Sequence, residues 1–135
     1  MRQIERTKFS CVKAPASVAT ATETATSYVD TSACLNVAFC VAAASLATGK
    51  KLKVALYAAD DTSGTNAAKV AEKEFAAAAD LTAPVAVIDY KPDPTKGRYV
   101  CAKFQHDSGS GVIYAVTAMQ EGEYRPADNA LTLVI

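Results

Sequence analysis

Strict alternation of apolar and polar residues in short runs constrains this chain more than any other feature. From Lys51 to Ala59, Leu52, Val54, Leu56 and Ala58 point one way, and Lys51, Lys53, Ala55 and Tyr57 the other. A period of two belongs to a pleated strand with one face buried. Leu35 to Ala43 alternates in the same manner, with Leu35, Val37, Phe39 and Val41 on one side. Arg98 to His106 turns Val100, Ala102 and Phe104 inward and Tyr99, Cys101, Lys103 and Gln105 outward. Val112 to Met119 places Val112, Tyr114, Val116 and Ala118 on one face. The linker Asp107–Gly111 between these last two runs reads as a hairpin loop whose glycines, Gly109 and Gly111, supply positive φ.

Val85 to Tyr90 and Leu131 to Ile135 add further strands, and Ser27 to Asp30 a short one. Turns are marked at Leu46–Gly49, Asp60–Gly64, Lys91–Gly97 and Glu121–Glu123. Asn66 to Ala79 is ambiguous. Its Ala, Lys and Glu content favours helix, whereas Lys69–Ala71 and Glu74–Ala76 also fit strands. The pattern predicts a mainly β, single-domain antiparallel sandwich or barrel of about seven strands, with a possible short helix at 66–79.

Residues 1–26 are expected to stand apart from a β-sandwich domain spanning 27–135. Ala14 to Ser27 is rich in Ala, Thr and Ser and cannot bury enough surface to fold alone. It is either an extended N-terminal arm or a strand completed by neighbours. As an arm it would reach a partner through Arg2 and Arg6 for polar contacts and Ile4 and Phe9 as apolar anchors. Deleting residues 1–12 would then leave the fold intact.

The 135 residues carry 14 basic and 14 acidic side chains, so no net field draws the chain to nucleic acid or an anionic membrane. The longest apolar run, Val37 to Leu46, is too short to span a bilayer. The opening residues lack the apolar core of a signal peptide, which points to synthesis and folding in a cytoplasm. Cys11, Cys34, Cys40 and Cys101 lack C-x-x-C spacing, and His106 is the one histidine, so free thiols are expected rather than zinc.

Chemistry is hard to place on these residues. His106, Asp107 and Ser108 are sequence neighbours at a turn, where a catalytic triad rarely converges. Asp60, Asp61 and Ser63 lack the spacing of a calcium loop. No phosphate-binding glycine motif is present. There is no tryptophan, and Tyr57 and Tyr99, expected to face outward, suit an interface better than a sugar platform. The expectation is a protein that is not an enzyme and has no metal or cofactor. The small outward residues Ala38, Cys40, Ala42, Ala55 and Ala59 would let another layer approach closely, from this chain or from a neighbouring subunit.

The order of segments resembles a known group of proteins. Tyr28–Thr31 leads into an alternating strand, and Leu52 to Ala59 runs into Asp60–Gly64. Val70 and Glu74–Phe75 follow, then Gly97–Val100, and Tyr124–Ala127 closes the last strand pair. Across roughly residues 20–128 this is similar to the small β-sandwich virion structural proteins of tailed bacteriophages. The resemblance implies a capsid decoration (cement) protein without an active site. Such a protein would bind the major capsid protein on the outer capsid surface, as a homo-oligomer with a trimer favoured, after assembly in the host cytoplasm. Other virion parts (tail, head–tail joining or fibre-associated) and a glycan or host-surface binding module are the competing readings. The candidate interface residues are Arg2, Ile4, Arg6, Phe9, Tyr57 and Tyr99.

Overall fold

A computed structural model describes residues 3–122, 129, 131–133 and 135. In chain order its elements are a one-turn helix α1 (Gln3–Arg6), β1 (Thr7–Val18), β2 (Thr24–Ala25), β3 (Val29–Asp30), β4 (Cys34–Ala43) and β5 (Ser45–Leu46). They continue with β6 (Lys51–Ala59), β7 (Ala68–Ala76), β8 (Leu81–Thr82), β9 (Val85–Tyr90), a 3-10 turn (Pro94–Lys96), β10 (Tyr99–His106) and β11 (Val112–Gly122). The strands longer than two residues are the seven β1, β4, β6, β7, β9, β10 and β11. They form two antiparallel sheets that face one another and do not close into a barrel. Sheet A runs β1-β11-β4-β9, and sheet B runs β2-β10-β6-β7 with β3 also on β10.

The alternation read from the sequence decides which side chains meet between the sheets. Val37, Phe39 and Val41 of β4, and Tyr114, Val116 and Ala118 of β11, are buried from sheet A. Leu52, Val54, Leu56 and Ala58 of β6, and Val100, Ala102 and Phe104 of β10, are buried from sheet B. Phe104 and Tyr114 pack with ring centroids 5.1 Å apart, which places an aromatic contact at the centre of the core.

Several expectations are corrected. Arg98–His106 and Val112–Met119 do not form a hairpin: β10 pairs with β6 and β11 with β1 and β4, so residues 107–111 cross between the sheets. Their apolar faces oppose each other across the core instead of lying side by side. Accordingly neither Gly109 nor Gly111 has a positive φ. A Cβ at Gly111 would lie 2.7 Å from the Oγ of the exposed Ser17, which a turn of that side chain can relieve.

The possible helix at 66–79 is strand β7, registered along β6 from Lys51↔Ala76 to Ala58↔Ala68. Helical propensity amounts to tenths of a kcal/mol per residue and yields to a free neighbouring strand that turns Val70 and Phe75 against the core. Of the two states expected for the N-terminal zone, residues 7–18 adopt the strand, paired with β11 of the same chain from Thr7↔Glu121 to Val18↔Val112. Val12 and Val18 are buried in the core, so this strand belongs to the sandwich and is not an extended arm. Leu131, Thr132, Leu133 and Ile135 are not in a strand, and Leu131 and Ile135 are almost fully exposed. The turn expected at Glu121–Glu123 gives way to β11 at Glu121 and Gly122, and Glu123 lies outside the described residues, as does the Tyr124–Ala127 motif.

Candidate interaction surface

The two sheets turn very different faces outward, and each difference traces to residues of the second period-two set. On sheet B, β6 presents Lys51, Lys53 and Tyr57, β10 presents Tyr99 and Lys103, and β7 presents Lys69, Glu72 and Glu74. Ion pairs tie these together: Lys69 Nζ to Glu72 at 2.6 Å, Lys51 to Glu74 at 3.6 Å, and Lys103 to Glu23 at 3.9 Å. Lys103 Nζ also sits 4.1 Å from the Tyr57 ring centroid, and the Arg98 guanidinium 5.3 Å from that of Tyr99.

The small residues of this face are covered by the chain itself. Ala59 is fully buried beneath Gly97, where a Cβ would come within 2.8 Å of the Ala59 carbonyl oxygen and where φ is +116°. Cys101 is fully buried with the Tyr28 side chain beside it, and burial pushes its thiol pKa up. Ala55 is buried as well. The room left by Ala55 and Ala59 is therefore used within the chain.

Sheet A is the opposite. Its outer face consists of rows that run across the strands. One row is Val85, Ala42 and Ala115, and the next is Val87, Cys40, Thr117 and Cys11. A third is Asp89, Ala38, Met119 and Phe9. Asp89 is the single charge among these positions. Val85, Val87 and Ile113 are each a little over half exposed and Phe9 is 38% exposed. Cys40 Sγ and Met119 Sδ lie 3.8 Å apart on this surface.

The predicted site residues are divided between the two faces. Ile4 and Phe9 come together beside β1, where with Leu131 and Leu133 they line a groove of about 480 Å³. Asn129 fixes the lower wall: its Oδ1 accepts from Phe9 N at 3.0 Å, and its Nδ2 donates to Thr7 O at 2.9 Å and Ile4 O at 3.2 Å. Arg6 is exposed at the end of α1, and Arg2 lies outside the described residues. Tyr57 and Tyr99 are on the far side of the molecule and share no surface with Phe9. The exposed valines of β9 and the Asn129 clamp were not anticipated. Val85–Tyr90 reads as an ordinary strand, and only the sheet order shows that it lies at an edge.

The polar clusters singled out in the sequence are engaged in holding loops. His106 is buried; Ser108 N donates to Nδ1 at 3.2 Å, leaving Nε2–H to donate to Val18 O at 2.8 Å. Asp107 accepts from Lys51 N at 2.7 Å. Asp61 accepts from the Thr65 hydroxyl and from Thr65 N and Ser63 N, and these bonds lower its pKa. Asp30 takes a two-pronged contact from Arg98 at 2.7 and 2.8 Å, which lowers its carboxyl pKa to about 2. No group of three His, Cys, Asp or Glu side chains positioned to hold a metal occurs among the described residues. All four thiols are free. Among the described residues, no helix is long and apolar enough to cross a membrane.

No protein family and no curated protein matches this sequence. Similarity appears at the level of structure. The fold is similar to that of a phage exported protein, PBSX exported protein XepA, with a TM-score of 0.56 and 9% identity over 94% of this chain. This chain spans 42% of that protein's length. A chain from infectious bursal disease virus, Gx strain, matches at a TM-score of 0.48 and 14% identity, over 90% of this chain and 34% of that one. At 9% identity what this chain shares with XepA is the fold alone.

Proposed function

We propose that this chain is a non-enzymatic virion structural protein, and specifically a capsid decoration protein that lies on the outside of a phage head and stabilises the major capsid protein lattice. The observation that carries this reading is the two-sidedness of the sandwich. A plate with one charged, ion-paired face and one face of small, nearly uncharged side chains suits a molecule laid flat on another protein. Patches of that kind mark interaction surfaces. The fold shared with a phage exported protein supports the same direction.

In this reading the outer face of sheet A meets the shell. Phe9 and Ile4 act as apolar anchors at its β1 margin, and Arg6 flanks them. Tyr57 and Tyr99 face away from the shell or toward neighbouring copies. No single contact has to be strong, because many identical copies on a repeating lattice add their attachments. Attachment involves no bond-making step, cofactor or metal.

Co-sedimentation of the purified protein with phage heads lacking it tests this. The protein should pellet with heads, and Thr117→Glu or Ala115→Glu, each placing a carboxylate in the middle of the apolar face, should abolish pelleting. Binding that survives both substitutions would remove the face from the proposal. The likeness to an exported protein favours a second reading, a phage protein released from the host cell. In that case the protein would stay in the supernatant in the same assay.

A further inference from the structure

The four sheet margins are not protected alike. β1 is broken by register shifts between Cys11 and Lys13 and between Lys13 and Ala16, and it carries Pro15. The margin formed by β2 and β3 offers only two residues in each strand. β7 carries Lys69, Glu72, Lys73 and Glu74. Bulges, proline, shortness and charge are the usual devices that prevent strands from pairing edge to edge. β9 has the least of this protection between Val85 and Tyr90: no register shift, no proline, and the single charge of Asp89.

The hydrogen-bonding phase of this edge can be read from its partner. Ala43 N donates to Pro84 O at 3.0 Å, which makes Ala43 and Pro84 a bonded pair. Alternation along an antiparallel ladder then directs Ala86, Ile88 and Tyr90 to β4, and leaves the N–H and C=O groups of Val85, Val87 and Asp89 on the open side. No described backbone group takes them up.

We propose that β9 is the docking edge for β9 of a second copy of this chain, antiparallel about a two-fold axis through Val87. In that register Val87 faces its own copy, Val85 faces Asp89, and Ala86 faces Ile88. Every pair joins residues of the same phase, so the open backbone groups of both strands are satisfied together. The two Asp89 carboxylates fall at opposite ends of the ladder, each against a valine, and no like charges oppose one another. Beneath the edge, Leu56, Ala71, Phe75 and Ile88 line a groove of about 140 Å³ that can take the inward-facing Ile88 of the second copy. The apolar rows of sheet A then continue from one copy to the next. Pairing through a single edge buries little area compared with a stable interface, so association is weak in solution and strengthens when copies are held side by side. The proposal rests on the fold and not on the virion reading. Its two-fold symmetry differs from the trimer implied by the family resemblance.

Sedimentation of the full chain over a range of concentrations tests it, together with Val87→Lys, which sets two cations opposite each other at the axis. The wild type should pass reversibly from monomer to dimer, and Val87→Lys should weaken this by at least about ten-fold. A second readout covers the case in which the lysine variant fails to fold. With the exposed Cys11 changed to Ser, and with Cys40, the cross-strand neighbour of Val87, changed to Ser as well, Val87→Cys should form a disulfide-linked dimer under mild oxidation, since bonded antiparallel pairs have Cα atoms about 5.5 Å apart. Ile113→Cys, equally exposed on the same face but away from the edge, should not. A wild type monomeric up to millimolar concentration, an oligomer indifferent to Val87→Lys, or equal cross-linking at Ile113 would each overturn the proposal.

Discussion

Tyr114 is fully buried beside Phe104 and His106, yet its hydroxyl has no hydrogen-bond partner among the described residues. Burial pushes its pKa up to about 12, so the phenol stays protonated and its cost is that of an unsatisfied polar group. Tyr114→Phe keeps the ring packing and removes that cost. It should leave stability unchanged or raise it by about 1 kcal/mol, whereas Tyr114→Ala should lose about 3–5 kcal/mol, both read from urea unfolding. The Asp30–Arg98 pair makes a prediction about pH. Because the folded carboxyl titrates near 2 and the ordinary value is 3.8, its contribution is complete above the ordinary value and is lost as pH falls toward 2. Asp30→Asn should therefore lower the melting temperature modestly at neutral pH, the pair being well exposed, and the gap from wild type should close near pH 2. A gap independent of pH would show that Asp30 acts through its backbone turn alone.

At the scale of elements, β1 is the part whose role changes most between sequence and structure. Removal of residues 1–12 takes away the β1 segment running from Thr7 to Val12 and uncovers the edge of β11. The truncated chain should be destabilised by at least about 2 kcal/mol from the lost burial of Val12 alone, seen as a lower melting temperature. An unchanged melting temperature would return the segment to the status of an arm. Strand existence was legible here: Lys51–Ala59 and Val85–Tyr90 match their elements end to end. Pairing was not. Period-two alternation specifies which face of β10 and β11 is buried but not whether those faces lie side by side in one sheet or opposite each other in two. The burial of Phe104 and His106 against Tyr114 decides for the second. Ala68–Ala76 was ambiguous because its propensity is local, while the free edge of β6 that captures it is a tertiary fact.

At the scale of the whole molecule, the surface of interest was only half visible in the sequence. Ala38, Cys40 and Ala42 were recognised as too small and apolar for a solvated sheet, and they lie at the centre of the exposed face of sheet A. Ala55 and Ala59 showed the same signal but are buried by Gly97 and other parts of the same chain. Small residues announce a close approach without saying what approaches. The candidate aromatics were likewise split, with Phe9 on the apolar face and Tyr57 and Tyr99 on the charged one. The result is a plate with one face suited to contact and one suited to solvent. Cryo-electron microscopy of empty phage heads mixed with the purified protein tests that account most directly. It predicts density at regular lattice positions, with sheet A against the shell, sheet B outward, and heads more resistant to heat. Bare heads, or density that seats sheet B on the shell, would contradict it.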